Sequence, residues 1–295
     1  MADTPFTESP FPSSPVLPKL FDGDKTISFS CHKGISCWNA CCANIDITLT
    51  PYDVIRLKKR LGLDSGDFLR QYTVPFELEK DGIAGVKFKP VEDGSACQFM
   101  RPEGCAVYED RPTACRYYPV ALVAMRKQDE YTDTSSYALV KEPHCKGHEV
   151  DRPLTIDEYR QEQGVAEYDE QSRGWRQLIL KKMSSGPTIG KPSLRSRQLY
   201  FMACYDMDRF REFVRSEGFQ SSFELADDLY KQLLEDDSEL MQFGFRFLKQ
   251  VMFGEVTIPT REDAVRMREQ RLMEQQEMLI QRRPYDPADE VLEWI

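Results

Sequence analysis

The chain has 295 residues, a net charge of −10, and 41% apolar and 30% charged residues. That length suits one large domain or two modest ones with a buried core. The acidic balance excludes non-specific nucleic-acid binding, which needs a basic field to release counterions, and it speaks against an anionic membrane surface.

Residues 1–25 are expected to form a flexible tail, because Pro and Ser recur through "MADTPFTESPFPSSPVLPKL". This stretch has neither the basic nor the apolar region of a signal peptide. No apolar run of about 18 residues occurs further on, so no membrane-spanning helix is expected. The cytoplasm is the expected compartment, where stable disulfides are uncommon. Nine cysteines in such a setting need another use.

Eight of them lie between Cys31 and Cys145: Cys31, Cys37, Cys41, Cys42, Cys97, Cys105, Cys115 and Cys145. After a short strand in "TISFSC" comes the run C-x5-C-x3-C-C, "CHKGISCWNACC". All three histidines fall beside the set: His32 follows Cys31, while His144 and His148 flank Cys145. Clustered thiols with imidazoles alongside point to a metal site rather than to core packing. Four thiolates satisfy one tetrahedral zinc or one iron–sulfur cluster, so eight can fill one centre or two. Neighbouring side chains in extended backbone point oppositely, so Cys41 and Cys42 require either a sharp turn or two different metals. The spacing is neither that of a zinc ribbon nor that of a bacterial ferredoxin.

Next, "IDITL" alternates as a strand, and a helix is expected over Pro51–Leu61. Thr50 is its N-cap, Pro51 its first residue, Asp53 lies near the positive dipole end, and Gly62 stops it. Val54, Leu57 and Leu61 mark its apolar face; Arg56, Lys58, Lys59 and Arg60 read as a solvated one. A short helix over Asp67–Tyr72 and a strand in "GVKFKP" follow. Cys97–Pro119 reads as an irregular loop held by metal. "VALVAMRK" and "SSYALVKE" form a hairpin across "QDEYTDT", and the second strand delivers Cys145. Trp38, Phe99, Tyr108, Tyr117 and Tyr118 crowd the thiols. Arg111 and Arg116 either donate to sulfur or pair with Glu109 and Asp110.

From about Thr155 helical periodicity takes over, with expected helices at Ile156–Gln163, Asp169–Lys182, Arg195–Ser216, Phe223–Glu235 and Glu239–Phe253. Leu199, Met202, Ala203, Met207, Phe210 and Phe213 make one core stripe, and Cys204 beside it reads as a buried structural thiol. "SSGPTIGKP" at Ser184–Pro192 is a linker without the spacing of a phosphate loop. A charged last helix spans roughly Arg261–Arg283, with Val265, Leu272 and Leu279 every seventh residue, too sparse a seam for a coiled coil. Trp294 and Ile295 close the chain.

The expected fold class is therefore α+β: a Cys-rich metal-binding unit at 26–150, a helical region at 151–258, and a charged helix and tail at 259–295. The cluster ending in Cys41–Cys42, followed by "IDITLTPYDVIRLKKRLGL" and then "GCAVYEDRPTACRYYP", resembles the YkgJ-type cysteine-cluster proteins. Cys105, Tyr108, Arg111, Pro112, Cys115, Arg116 and Pro119 carry the second half of that pattern. The family's opening is usually tighter, nearer C-x2-C-x2-C-C. The resemblance covers about residues 25–150 and implies zinc or iron chelation, with no reaction common to its members. One related branch methylates flagellin lysines, and nothing in this chain carries that activity over.

Metal ion is thus the expected partner, as zinc or as an iron–sulfur cluster, and the helical half offers a surface to a protein. An iron–sulfur redox or protein-modifying enzyme and a metal-free thiol redox sensor are the alternatives. No Ser/His/Asp order, dinucleotide fingerprint or paired-carboxylate motif singles out a reaction.

Overall fold

A computed structural model describes residues 19–77, 83–125, 134–184 and 192–264, together with 266, 270, 273 and 274. Residues 1–18 of the expected tail, most of the hairpin loop, most of the linker and most of the last helix lie outside these residues.

The architecture is α+β. Strand β1 (Thr26–Ser28) leads to β2 (Thr48–Leu49), α1 (Pro51–Leu61), α2 (Ser65–Tyr72), β3 (Thr73–Glu77) and β4 (Ala84–Phe88). A two-residue ladder follows, β5 (Met100–Arg101) with β6 (Gly104–Cys105), then α3 (Thr113–Tyr117) and the hairpin β7 (Val120–Met125) and β8 (Thr134–Leu139). After β9 (Pro153–Thr155) the described chain is helical: α4 (Ile156–Gln163), α5 (Val165–Ser184), α6 (Leu194–Tyr205), α7 (Met207–Arg215), α8 (Glu217–Gln220), α9 (Asp227–Glu235) and α10 (Asp237–Phe253). The three-stranded sheet has the order β2-β4-β3, all antiparallel, and β1 pairs with β9 so that Ile27 lies opposite Leu154.

Local chemistry explains the helix starts. At α1 the Thr50 hydroxyl accepts from the Asp53 N–H at 3.1 Å, while the Thr50 N–H donates to the Asp53 carboxylate at 2.8 Å. This reciprocal cap satisfies two donors that a helix end would otherwise leave bare. Gly62, at φ 66°, closes the helix in the left-handed region. Thr155 and Glu158 repeat the same box at α4.

Two apolar cores cross the region near residue 150. The larger joins Leu49, Val54, Leu57, Phe68, Val86 and Phe99 to Tyr168, Tyr200, Phe210, Phe243 and Leu248. The smaller joins Ile27, Phe29, Tyr117 and Tyr137 to Leu154, Ile156 and Tyr159. Cys204 is fully buried on α6, as its apolar stripe predicts. At Gly244 of α10 an added Cβ would lie 2.8 Å from the Ala203 carbonyl, so α6 and α10 approach as closely as a glycine allows.

Several sequence expectations need correction. Arg195–Ser216 is two helices, broken at Asp206, whose side chain caps α7 by accepting from the Arg209 N–H at 3.2 Å. The apolar stripe runs on across the break because Phe210 N–H still bonds Asp206 O at 2.8 Å, so periodicity alone does not register a one-residue kink. The helix expected from Phe223 begins at Asp227. The strand in "IDITL" shrinks to Thr48–Leu49.

The basic face of α1 is solvated only at Lys59 and Arg60. Lys58 is 6% exposed, with its ammonium 2.9 Å from Asp208 and 2.8 Å from Asp237. Arg56 meets Asp110 at 2.7 Å and Glu167 at 3.3 Å. Arg211 completes the network by pairing with both Asp208, at 2.8 Å, and Asp237. The helical region thus wraps the charged side of α1 as well as its apolar side.

Partial burial works against the Asp208 charge, but the Ser65 N–H and the Lys58 ammonium outweigh it and hold this carboxyl below the usual range. A folded-state value below the unfolded one, near 3.9, gives stability that is complete above about pH 4 and fades as the pH falls further. Lys58→Ala is expected to cost roughly 2–4 kcal/mol in urea unfolding at neutral pH, since it strips a buried partner from two carboxylates. That cost should shrink at about pH 3. Arg60→Ala, whose guanidinium is 46% exposed and 3.8 Å from Asp110, should stay within about 0.5 kcal/mol. Equal costs for the two variants would contradict the role given to Lys58.

Candidate metal centre

The thiols come from four chain segments, and backbone hydrogen bonds stitch those segments together. Residues 30–45 follow β1. Asn39 takes the left-handed conformation, φ 63°, and a 3-10 turn then spans Ala40–Cys42. The turn brings the Cys41 and Cys42 sulfurs 3.9 Å apart. The backbone turns sharply at the adjacent pair, and this leaves open whether the two sulfurs serve one centre or two. Asparagine tolerates this conformation better than most residues, and the Asn39 side chain also donates to Arg101 O at 2.7 Å.

The second segment docks on the first. Cys97 N–H donates to Cys42 O at 2.8 Å, Ile45 N–H to Ser95 O at 2.9 Å, and the Ser95 hydroxyl to Ala43 O at 3.0 Å. Cys105 pairs with Met100 across the β5–β6 ladder, and both Cys97 and Cys105 pack against the larger core. Trp38 lies over Gly104, which sits at φ 132°; an added Cβ there would stand 3.2 Å from the indole.

The third segment is α3, which carries Cys115. Asp53 holds it in place. This carboxylate has no exposed surface, and it accepts 2.8 Å bonds from both the Thr113 N–H and the Thr113 hydroxyl while capping α1. Burial pushes its pKa up, while the four bonds from Thr50 and Thr113 work to keep it charged. Arg116 is buried, donating to the backbone oxygens of Arg111, Glu109 and Gln163 and to the Tyr168 hydroxyl. It is neither a sulfur donor nor a partner of Glu109 or Asp110 through their carboxylates. Arg111 bonds Tyr108 O and Gln163, and Asp110 belongs to Arg56. Arg111 and Arg101 nonetheless lie near enough to favour the Cys105 thiolate.

The fourth segment returns beside the first. Ser30 N–H donates to Gly147 O at 3.1 Å, and Lys146 N–H points at the Cys37 sulfur at 3.2 Å. A side chain at Gly147 would collide with the Phe29 ring at 2.4 Å, so glycine permits the approach. His148 packs edge-on against Phe29 and its Nε2 lies 3.0 Å from Val140 O; burial lowers its pKa. It therefore acts as a packing residue here. His32 is exposed with its ring beside Lys33 O, and His144 Nε2 lies 3.5 Å from Glu142.

The thiols fall into two electrostatic groups. Cys31 is pushed up to about 11 by burial and then by the fields of Cys41, Cys37 and Cys145. Cys42 is pushed up by the shared hydrogen bond with Cys41, by burial, and then by the fields of Cys41, Cys115 and Cys97. Burial, Cys97 and Cys105 do the same to Cys115, and burial raises Cys97 and Cys105. Within the adjacent pair one thiol ionises first: the S–H of Cys42 stabilises a Cys41 thiolate and draws it down to about 7. Cys41, Cys37 and Cys145 thus bear on Cys31, while Cys41, Cys115 and Cys97 bear on Cys42. Cys41 stands between the groups, since its field also reaches Cys105 and Cys115. Among the described residues no three Cys, His, Asp or Glu side chains stand where they would hold an ion without moving. All nine cysteines are free thiols.

Two neighbours of this centre escaped the sequence reading. In the sequence Asp53 shows only as an acidic residue near the positive dipole end of α1, and its hold on α3 has no local signal. Glu142 lies close enough to raise Cys41, and its carbonyl accepts from the Cys145 N–H at 3.0 Å. Its place three residues before a cysteine is the sole hint in the sequence.

A family model matches residues 30–138: CxxCxxCC, described as a "putative zinc- or iron-chelating domain". This segment carries that family's domain. The match agrees with the resemblance read from the cysteine motifs and supports metal chelation by the N-terminal part of the chain. It ends before Cys145, whose place beside Cys37 comes from the fold. No curated protein and no solved structure matches the chain.

If Asp53 pins α3 to α1, Asp53→Ala should cost about 2–4 kcal/mol of stability through the lost cap and the unpaired Thr113 groups. Amide exchange at Thr113–Tyr117 should quicken while α10 keeps its protection. Unchanged exchange at Thr113–Tyr117 would remove Asp53 from this role.

Proposed function

We propose that this chain binds metal through two thiol quartets, one of Cys31, Cys37, Cys41 and Cys145 and the other of Cys42, Cys97, Cys105 and Cys115. The metal is zinc, or iron held as an iron–sulfur cluster. The observation that carries this reading is the adjacent pair, whose sulfurs stand 3.9 Å apart, with Cys37 and Cys145 bearing on Cys31 beside Cys41 and with Cys97 and Cys115 bearing on Cys42. The donor chemistry fits, because four thiolates suit a tetrahedral zinc or a four-thiolate cluster. Burial first, and neighbouring sulfurs after it, raise Cys31, Cys97, Cys105 and Cys115. A bound cation opposes that rise and favours thiolates. Closing either quartet requires side-chain movement from the positions seen, and the metal supplies the free energy for it, on the order of ten kcal/mol for a structural zinc. Free thiols on this scale suit the reducing cytoplasm.

A second reading, a metal-free thiol redox sensor, rests on the 3.9 Å approach of Cys41 and Cys42 and the acidity of the first. Elemental analysis of full-length protein isolated anaerobically separates the two. The expected result is close to two metal centres per chain, with charge-transfer bands if the metal is iron. Chelator should then lower the melting temperature by roughly 10 °C or more. A metal-free preparation with the same melting temperature and reversible disulfide formation would overturn metal binding in favour of the sensor.

A further inference from the structure

Far from the thiols, a groove of about 990 Å³ runs between strand β3 and helices α6 and α7. Apolar side chains line it: Phe76 on β3, Leu199 and Met202 on α6, and Phe213 on α7. Strand β3 is the edge of its sheet, so no strand covers its outer side among the described residues. Leu194, at the start of α6, stands 63% exposed at the same groove. Large apolar side chains grouped on a surface mark a place of contact.

The charges around the groove are unequally engaged. Glu212 pairs with Arg215 at 2.6 Å, and Asp206 caps α7 by accepting from the Arg209 N–H at 3.2 Å. Arg209 has the Asp206 charge beside it, and Glu77 is exposed at the end of β3. Arg195 and Arg197 on α6 form no ion pair with any described residue. The Nε of Arg197 is buried without a hydrogen-bond partner among those residues. A guanidinium partly removed from water and left unpaired calls for an anionic acceptor.

The chain itself holds a segment of matching chemistry. Residues 286–295, "DPADEVLEWI", lie outside the described residues. They carry Asp286, Asp289, Glu290 and Glu293, no basic side chain, and the apolar Val291, Leu292, Trp294 and Ile295. The path towards them starts beside the groove. Arg261 N–H donates to Ser222 O at 3.1 Å, and its Nε donates to Gln220 O at 2.9 Å. Phe219, next to Gln220 on α8, has its ring centre 5.4 Å from that of Phe213.

We propose that residues 286–295 dock in this groove of the same chain, with their apolar side chains against Phe76, Leu199, Met202 and Phe213 and their carboxylates at Arg195 and Arg197. This contact is independent of metal binding. Tethering favours this occupant over a free partner, because a linked segment meets its site at an effective concentration of about 1 mM and a weak contact stays filled. Residues 275–285 span up to roughly 35 Å when extended, so reach does not forbid the contact. The docked segment shields this face of the helical region from other proteins.

The test uses the full chain labelled with fluorotryptophan and read by fluorine NMR. The chain has Trp38, Trp175 and Trp294, and Trp294→Phe identifies the resonance of the last. In the docked state that resonance should move little between light and heavy water, as a buried ring does. Arg195→Glu/Arg197→Glu sets like charges against the segment and should raise the solvent shift about two-fold or more. Adding Glu290→Arg/Glu293→Arg should bring it back, which damage to the fold would not. Circular dichroism and the Trp38 and Trp175 resonances check folding, and the exposed Arg195→Glu alone serves if the double variant does not fold. A Trp294 resonance as solvent-sensitive in the wild type as in a free peptide of residues 286–295 would overturn the proposal, and so would one unmoved by the charge reversal. A solvent shift that grows on dilution, with sedimentation as a dimer, would give the groove to a second copy and overturn docking within one chain.

Discussion

The buried carboxylate of Asp53 ties the two kinds of structure in this protein together. It caps α1 through Thr50 and holds α3 through Thr113, and it has no contact with solvent. Burial disfavours the charge of a carboxylate unless hydrogen bonds replace its hydration, and here the backbone and hydroxyl of Thr113 join the Thr50 N–H in opposing the rise. Because Thr113 opens the short helix that carries Cys115, a local helix cap also sets the position of a distant thiol. Farther along the same helix, Lys58 grips Asp208 and Asp237 from α7 and α10. Helix α1 is therefore a shared hub, with the cysteine loops at one end and the helical region around its middle.

The cysteine loops have little regular structure of their own, and their arrangement depends on such imported anchors. Cys42 O receives the Cys97 N–H, Gly147 O receives the Ser30 N–H, and Cys105 sits on a ladder of two residue pairs. These contacts hold the backbone while leaving the sulfurs at the edge of the cores. That balance suits ligands: a thiol packed as deeply as Cys204 is inert, whereas one at a core margin combines a dry side with an approach for an ion. Burial is the corresponding electrostatic constraint, and it is the largest cause that raises Cys31, Cys97, Cys105 and Cys115.

Much of the helical pattern was legible in the sequence. The α1 and α4 boundaries follow from Thr caps, a Pro or acidic first turn, and Gly at the stop, all of which act within a few residues. The β7–β8 hairpin and the buried Cys204 were equally local inferences. The break at Asp206 and the burial of Lys58 were not. In the first case a single capping residue interrupts an otherwise continuous apolar stripe. In the second, a basic run that looks solvated finds its carboxylates roughly 150 residues away in sequence.

Sequence alone determined that this protein concentrates its thiols in one region, that the region is of a metal-chelating type, and that a helical region follows. These conclusions rest on residue chemistry and short-range periodicity, which need no knowledge of distant neighbours. Only the tertiary structure decided that Cys41 and Cys42 turn together, that Cys145 returns beside Cys37, that Arg116 serves backbone carbonyls rather than sulfur, and that Asp53 holds the helix of Cys115. Each of these depends on which segments dock. Docking is settled by burial and hydrogen-bond satisfaction summed over the whole chain, which no local stretch encodes.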